Sequence, residues 1–238
     1  MGLVGVRDYS WGSWVTLTNP PVNAMGSGLI TELTHVLEEM AGKEPTIMLL
    51  SGEGKCFSAG ADLKEAQSTS DELLERYRST RRIEELLQAA PFPIVAAIHG
   101  ACIGGAMNLI ANCDLRVARD DAFFCLPEVK LGRAGGSANL RGLIPEGAVR
   151  WLALTGERID ATEALRLHLV DKVFPSAGWP DRLRQLGEQI GGASPAGLYA
   201  IKESLNRAQN VPRRDARWME QQVSYRLWSA GHRQGFDS

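Results

Sequence analysis

Two turns of the sequence could supply a pair of backbone hydrogen-bond donors to one ligand. Residues 58–61 read Ser-Ala-Gly-Ala after the apolar run 46–52, and Gly104 and Gly105 follow a second apolar run at 93–100. Small side chains let a ligand approach the backbone, and amides at a helix start have no intrahelical acceptor. With a helix predicted after each turn, two amides could point at one carbonyl oxygen, as in an oxyanion hole.

An asparagine lies in the apolar helix predicted after the second turn. Asn108 stands in the segment "GGAMNLIAN", where some acid–base reactions would use a carboxylate. Its amide does not transfer a proton at pH 7, but it can orient a water molecule or hold a substrate group. The alternative is a structural hydrogen bond to nearby backbone. His99 precedes the second turn, and this position favours a structural role. The segment around Ser58 lacks the first glycine of the GxSxG motif, so Ser58 is a poor candidate for a nucleophile.

The segments before these turns have the pattern of buried strands. Residues 46–52 and 93–100 are continuous apolar runs, as in strands that are covered on both faces of a sheet. Shorter runs at 14–17 and 114–118 predict two further strands. The sequence therefore predicts an α/β core.

Helical patterns alternate with these strands. Apolar residues recur with helical spacing over 29–40, and residues 70–88 predict a helix capped by Ser70 or Asp71. A capping-box pattern opens a helix at 160–165.

The last part of the chain is almost entirely helical in pattern. Residues 194–208 have a serine cap followed by proline, which is typical of a helix start. The predicted strands lie in the earlier part of the sequence, and the last part is helical. This order predicts an α/β core over 1–175 and a helical region over 176–238.

Composition limits the classes of function. The 238 residues are 44% apolar, which allows a sizeable core, and the net charge of −2 gives no support for binding to nucleic acid or a membrane surface. The sequence has no apolar run of membrane-spanning length and begins with nothing like a secretory signal. The four cysteines form no CxxC pair and have no zinc-like histidine spacing, so we expect buried, reduced thiols, no metal and a cytoplasmic location.

Several motifs, taken together and in order, resemble the enoyl-CoA hydratase/isomerase (crotonase) superfamily. They cover nearly the whole chain and are "NPPVNAM" at 19–25, "CFSAGADLKE" at 56–65, "PFPIVAAIHGACIGGAMNLIANCDLRVA" at 91–118, "FCLPEVKLG" at 124–132 and "LALTGERIDATEALRLHLVDKVFP" at 152–175.

This resemblance implies a fold and a class of ligand. The family fold is a crotonase-like ββα spiral with C-terminal helices that pack into a homotrimer, often a dimer of trimers. The implied substrate is an acyl-CoA thioester, so coenzyme A enters as part of the substrate and no separate cofactor is expected.

The resemblance also implies roles for individual residues. Ala61 and Gly105 match the positions whose amides bind the thioester oxygen. Ser58, Ala59 and Lys64 match the region near the adenine and pantetheine of coenzyme A.

The implied acid–base group is Glu128. It matches the second of the two carboxylates that hydratases use, whereas Asn108 stands where the first would be. One carboxylate can move a double bond, because it takes a proton from one carbon and returns it to another. Hydration suits two carboxylates better, because water is activated at one carbon while a proton is delivered to its neighbour.

Besides Asn108, the sequence departs from the family pattern in two places, the acyl pocket and the C-terminus. The segment around 132–136 is shorter than the family pattern by about three residues, which places Arg133 and Ser137 in a shortened loop beside the acyl group. The sequence ends with 231–238, where family members usually continue into a basic segment that helps to hold coenzyme A.

The resulting hypothesis is an enoyl-CoA isomerase, or an atypical hydratase, that reacts through a thioester enolate with Glu128 as general acid and base. The alternatives are a carbon–carbon lyase or decarboxylase that acts on an acyl-CoA, and a non-catalytic acyl-CoA-binding protein that kept the fold.

Overall fold

The computed structural model describes residues 2–65, 69–209 and 211–232, in which strands and helices alternate. The strands are β1 Val4–Tyr9, β2 Gly12–Leu17, β3 Met48–Gly52, β4 Ile94–Ile98, β5 Ala101–Ile103, β6 Leu115–Arg119, β7 Phe123–Cys125, β8 Arg158–Asp160 and β9 Lys172–Phe174. The α-helices are α1 Ser27–Lys43, α2 Ser70–Ala89, α3 Gly105–Ala111, α4 Glu146–Thr155, α5 Ala161–Arg166, α6 Trp179–Gly191, α7 Pro195–Ala208 and α8 Arg213–Ser229. Two 3-10 helices lie at Pro127–Leu131 and Ala138–Leu140.

The strands form two sheets that the chain visits in turn. The larger sheet has the order β1-β2-β3-β4-β6-β9, parallel except for the β1–β2 hairpin, and the smaller has the order β5-β7-β8. The chain leaves β4 through Gly100, whose φ is 54°, enters β5 and continues into α3. This passage is one turn of the predicted ββα spiral.

The predicted central strands are covered on both faces. In β4, Ile94, Ala96 and Ile98 belong to the core shared with α1, α2 and α3. Val95 and Ala97 face the other side, in a smaller core that includes residues of α6. The continuous apolar run follows from this arrangement, because neither face of the strand meets water. Five of the nine strands in the described part of the chain, β1, β5, β7, β8 and β9, have no counterpart among the four predicted strands.

The cap of α2 differs from the prediction. Thr69 holds the first turn: its hydroxyl accepts from the Glu72 amide at 3.2 Å, and the Glu72 carboxylate accepts from the Thr69 amide at 3.0 Å. The expected cap at Ser70 or Asp71 is wrong by one or two residues, since this reciprocal pair requires the spacing of a capping box.

The helical C-terminal part packs on the core. Asp160 and Ser194 cap α5 and α7 as predicted. Lys202 of α7 is buried, and its ammonium group donates to the Asp114 carboxylate at 2.8 Å and to the Phe92 carbonyl at 3.0 Å. Among the described residues, no helix is both long and apolar enough to cross a bilayer.

Candidate active site

A cavity of about 150 Å³ brings together five segments that are distant in sequence, around Met25, around Ala61, in α2, in α3 and at 128–136. Of the predicted site residues, its wall contains Ala61, Gly105, Asn108, Glu128 and Arg133. The remaining described wall residues are Met25, Leu73, Arg76, Tyr77, Thr80, Ile83, Glu84, Leu109, Ala134, Gly135 and Gly136.

The first predicted donor, Ala61, lies in a short β-bridge. The Met25 amide donates to the Gly60 carbonyl at 2.7 Å, and the Asp62 amide donates to the Met25 carbonyl at 3.5 Å. The Ala61 amide lies between these bonds and has no acceptor in the described part of the chain. The prediction of a helix directly after this turn is wrong, because residues 62–65 are not helical. The donor is therefore left free by bridge geometry rather than by a helix start.

The second predicted donor, Gly105, is the first residue of α3, as expected. A Cβ placed on Gly105 would lie 3.8 Å from the Ala61 nitrogen, so the two amides are neighbours. This approach requires glycine at position 60, where φ is 82° and a Cβ would lie 2.3 Å from the Ile103 carbonyl oxygen. Within the described residues, the Gly105 amide also has no protein acceptor. The pair can donate to one ligand oxygen.

The segment 19–25 holds the first turn in shape. The Asn23 side chain donates to carbonyls at Glu53, Cys56 and Phe57 at 2.9, 2.9 and 3.1 Å. The Ser58 hydroxyl donates to the Asn23 carbonyl at 2.6 Å and accepts from the Gly60 amide at 3.1 Å. This network gives the quoted "NPPVNAM" motif a structural role that the sequence alone did not reveal.

The predicted contacts with coenzyme A lie outside the cavity wall. Ser58 is fully buried, and its hydroxyl is occupied by the network just described. Ala59 is half-buried, and its amide donates to the Val22 carbonyl at 2.9 Å. Lys64 is exposed. Their contacts with coenzyme A stay predictions.

Glu128 lies on the 3-10 helix that follows β7, with Pro127 at the first position. Its Oε2 atom is buried and has no hydrogen-bond partner among the described residues. Burial raises the pKa of the Glu128 carboxyl, and a hydrogen bond from its own backbone amide opposes part of that rise. A carboxyl group with a raised pKa and a free oxygen suits proton transfer.

Asn108 presents an unpaired oxygen close to Glu128. It follows Gly105 by one turn of α3, and its Oδ1 atom is buried without a partner in the described part of the chain. A Cβ placed on Gly136 would lie 3.7 Å from both Asn108 Oδ1 and Glu128 Oε1. The alternative role for Asn108 was a structural hydrogen bond to nearby backbone, and Oδ1 makes no such bond with the described residues. This oxygen is therefore available to a ligand or a water molecule.

The shortened loop forms part of the wall. Residues 133–136 line the cavity, and the Arg133 amide donates to the Glu128 carbonyl at 2.9 Å. Ser137 lies outside the wall, immediately before the 3-10 helix Ala138–Leu140. The structure thus places Arg133, but not Ser137, in the wall that also contains Asn108 and Glu128.

Helix α2 supplies a wall that the site prediction omitted. Residues Leu73, Arg76, Thr80 and Glu84 recur at helical spacing and face the cavity, although the sequence assigned this helix no part in the site. The signal available in the sequence was the predicted helix 70–88, on which Glu84 directly follows the apolar Ile83. Burial raises the pKa of Glu84, and a hydrogen bond from the Asn139 side chain lowers it in part.

The other reactive side chains are structural. Cys56, Cys102 and Cys113 are buried, as predicted. The prediction is wrong for Cys125, which is half-buried because it lies on the more exposed face of β7, with its thiol 3.4 Å from the Gly156 carbonyl oxygen. His99 accompanies the turn at Gly100, and its Nε2 atom lies 3.0 Å from the Gly54 carbonyl oxygen. The described residues contain no group of three His, Cys, Asp or Glu side chains that could hold a metal ion.

Gly104→Ala should displace the Glu128 carboxylate. Gly104 has φ of 55°, and a Cβ there would lie 2.7 Å from Glu128 Oε1, so the carboxylate must move. Displacement of about 1 Å is expected to lower kcat roughly 10²-fold, and backbone strain to lower the free energy of unfolding by about 1–3 kcal/mol. Steady-state kinetics and denaturant unfolding measure both. Gly147→Ala, which adds a methyl group into open space, is the control; equal kinetics in the two variants would contradict the proposed contact.

Comparison with known proteins assigns the chain to a family. Residues 13–238 match the family described as enoyl-CoA hydratase/isomerase. The chain is 31% identical over 235 residues to the "(7aS)-7a-methyl-1,5-dioxo-2,3,5,6,7,7a-hexahydro-1H-indene-carboxyl-CoA hydrolase" of Rhodococcus jostii (strain RHA1), covering 97% of this chain and 91% of that protein. It is 32% identical over 208 residues to the peroxisomal "Delta(3,5)-Delta(2,4)-dienoyl-CoA isomerase" of Arabidopsis thaliana, covering 80% and 75%.

The fold agrees with this assignment. The crystal structure of an enoyl-CoA hydratase from Bacillus anthracis superimposes with a TM-score of 0.88 and 28% identity, over 94% of this chain and 90% of that chain. The crotonase-like fold is therefore confirmed. The match spans nearly the whole chain and includes the elements that build the cavity, and we conclude that the chain is a member of the enoyl-CoA hydratase/isomerase family.

Proposed function

We propose that the protein is an isomerase that moves a double bond of an enoyl-CoA thioester through an enolate. The observation that carries this proposal is the pair of unbonded amides, Ala61 and Gly105, in one cavity with an unpaired oxygen of Glu128. The amides would bind the thioester oxygen, and the carboxylate would act on the carbons beside it.

The proposed reaction uses one carboxylate twice. Glu128 removes the α-proton of a 3-enoyl thioester, and the electron pair delocalises onto the thioester oxygen, where two amides stabilise the charge. The same proton then returns to the γ-carbon, and the double bond comes to lie between the α- and β-carbons. Asn108, which cannot accept the proton, would hold the acyl group or a water molecule beside it.

A hydratase is the second candidate, favoured by the unpaired Asn108 oxygen near Glu128. The two side chains could hold a water molecule that adds to the β-carbon of a 2-enoyl thioester. The relatives include proteins named as a hydrolase, an isomerase and a hydratase, so similarity alone does not separate these reactions.

Two substrates separate the candidates. We expect a 3-enoyl-CoA to gain the absorbance of a conjugated thioester, as its double bond moves into conjugation with the carbonyl. Loss of that absorbance from crotonyl-CoA would instead favour hydration. A wider panel of acyl-CoA thioesters should include substrates for carbon–carbon cleavage and for decarboxylation. If calorimetry shows that the protein binds acyl-CoA but turns over none of these substrates, that result would contradict the enzymatic proposal and favour a binding protein.

We also propose a homotrimer or a dimer of trimers as the assembly. Support comes from large apolar side chains that the C-terminal helices leave exposed, namely Ile201, Leu205, Trp218, Tyr225 and Trp228. Large apolar side chains that are exposed on neighbouring helices are typical of an interface.

A further inference from the structure

Two arginines in the cavity wall have no carboxylate partner. Among the described residues, the arginine side chains that are at least partly shielded from solvent are Arg76, Arg116, Arg119 and Arg133. Arg116 and Arg119 each form an ion pair with an aspartate. Arg76 and Arg133 form none in the described part of the chain, and both line the active-site cavity. A partly buried cation loses hydration that an ion pair would replace, so an anionic group of the ligand is the expected partner.

The carboxylates in the same wall do not supply this counter-charge. Burial raises the pKa of both Glu84 and Glu128, whereas a guanidinium beside either carboxylate would lower it. The cation that opposes part of the rise at Glu84 is Arg81, which is exposed on the same helix and pairs with Glu85 at 2.9 Å. The positive charge of the two cavity arginines is therefore left for a ligand.

Arg76 lies at the thioester end of the cavity. Its guanidinium donates to the Met25 carbonyl at 2.9 Å, and Met25 is the bridge partner of Ala61. The main chain thus holds Arg76 beside the proposed oxyanion hole.

Arg133 belongs to the loop that packs on Asn108 and Glu128. Its amide donates to the Glu128 carbonyl at 2.9 Å, and a Cβ placed on Gly136 of the same loop would lie 3.7 Å from Asn108 Oδ1. Asn108 lies one turn of α3 beyond Gly105, a rise of about 4.5 Å away from the oxyanion hole. The Arg133 guanidinium makes no hydrogen bond with the described residues. Arg133 therefore lies in the part of the wall that faces the acyl group beyond the thioester.

We infer that Arg133 binds a carboxylate carried by the acyl group, so that the substrate is a coenzyme A thioester of a dicarboxylic acid. A guanidinium offers paired N–H donors in the geometry of a carboxylate, which makes such a contact strong and selective against a neutral group. The inference rests on the proposed function for one point, the placement of the thioester at the Ala61 and Gly105 amides. It adds the substrate class, an enoyl-CoA whose acyl chain ends in a carboxylate.

Binding is tested with thioesters that have no double bond to move. Hexanedioyl-CoA ends in a carboxylate, and its neutral counterpart ends in a carboxamide of nearly the same shape. We expect the wild-type protein to bind hexanedioyl-CoA about 10–100-fold more tightly in calorimetry, the usual effect of hydrogen bonds to a charged group. Both ligands carry the same coenzyme A phosphates, so the ratio of their dissociation constants reports the acyl end alone.

Variants assign the preference to one side chain. Arg133→Gln should abolish the preference, because glutamine is polar but carries no charge. Arg133→Lys should keep part of it, since an ammonium group keeps the charge without the paired donors. The matched control is Arg182→Gln on α6, which removes the same charge from an exposed position and should keep the wild-type ratio. The ratio of kcat/KM values for 3-hexenedioyl-CoA and its carboxamide should change in the same way.

The other outcomes separate this inference from the proposed function. Equal affinity of the wild-type protein for the two ligands overturns the inference, even if 3-hexenoyl-CoA is isomerised. Equal weakening of both ligands in Arg133→Gln also overturns it, because that result assigns the arginine to the coenzyme A phosphates or to folding. Loss of the preference in Arg76→Gln with retention in Arg133→Gln overturns the assignment to Arg133. A protein that shows the binding preference but isomerises no 3-enoyl thioester supports the inference and contradicts the proposed function.

Discussion

Glu128→Gln is expected to lower kcat for double-bond migration by about 10²–10⁴-fold, the usual contribution of a positioned general acid or base. Glutamine keeps the shape of the side chain and removes its capacity to carry a proton. The Glu128 oxygen that lacks a partner lies inside the cavity wall, so the loss should appear in kcat while acyl-CoA binding persists. Stopped assays of 3-enoyl-CoA isomerisation, with calorimetric binding of the same thioester, measure the two effects separately.

The pH dependence of the wild-type protein follows from the same group. Proton abstraction requires ionised Glu128, and burial raises its pKa. The rate should therefore fall as the pH drops through this raised pKa, at a higher pH than an exposed glutamate would give. Glu39→Gln, an exposed change on α1, is the control. Retention of activity and of this acidic limb in Glu128→Gln would remove the assigned role.

Gly105→Pro is expected to lower kcat by about 10²–10³-fold, because it deletes one of two donors to the developing oxyanion. Position 105 is the first residue of α3, where proline is well tolerated since the missing amide has no intrahelical acceptor. The change therefore removes the donor with little effect on the helix. Kinetics with the 3-enoyl-CoA and the midpoint of thermal unfolding measure the two properties.

The matched control is Gly105→Ala, which keeps the amide. Its Cβ would lie 3.8 Å from the Ala61 nitrogen and 3.9 Å from Met25 Sδ, both ordinary contact distances. The alanine variant should thus retain most of the rate that proline loses. Similar losses in both variants would indicate that added bulk, rather than the missing donor, lowers the rate.

Local patterns predicted the main elements because their causes are local. The continuous apolar runs gave strands covered on both faces, as Ile94 and Val95 illustrate by facing opposite cores. Capping chemistry at Asp160 and Ser194 predicted two helix starts. The cap of α2 was missed because a serine and an aspartate directly follow Thr69, and only the reciprocal bond with Glu72 selects among them.

By itself, the sequence determined the α/β class, the two glycine turns and the presence of an amide, Asn108, in the helix after the second turn. Only the tertiary structure decided that the Ala61 amide is freed by a bridge to Met25, and that Glu84 shares a wall with Glu128. The physical reason is that periodicity and capping record interactions within a few residues. A cavity is formed by packing between distant segments, and its electrostatics depend on burial that no single segment encodes.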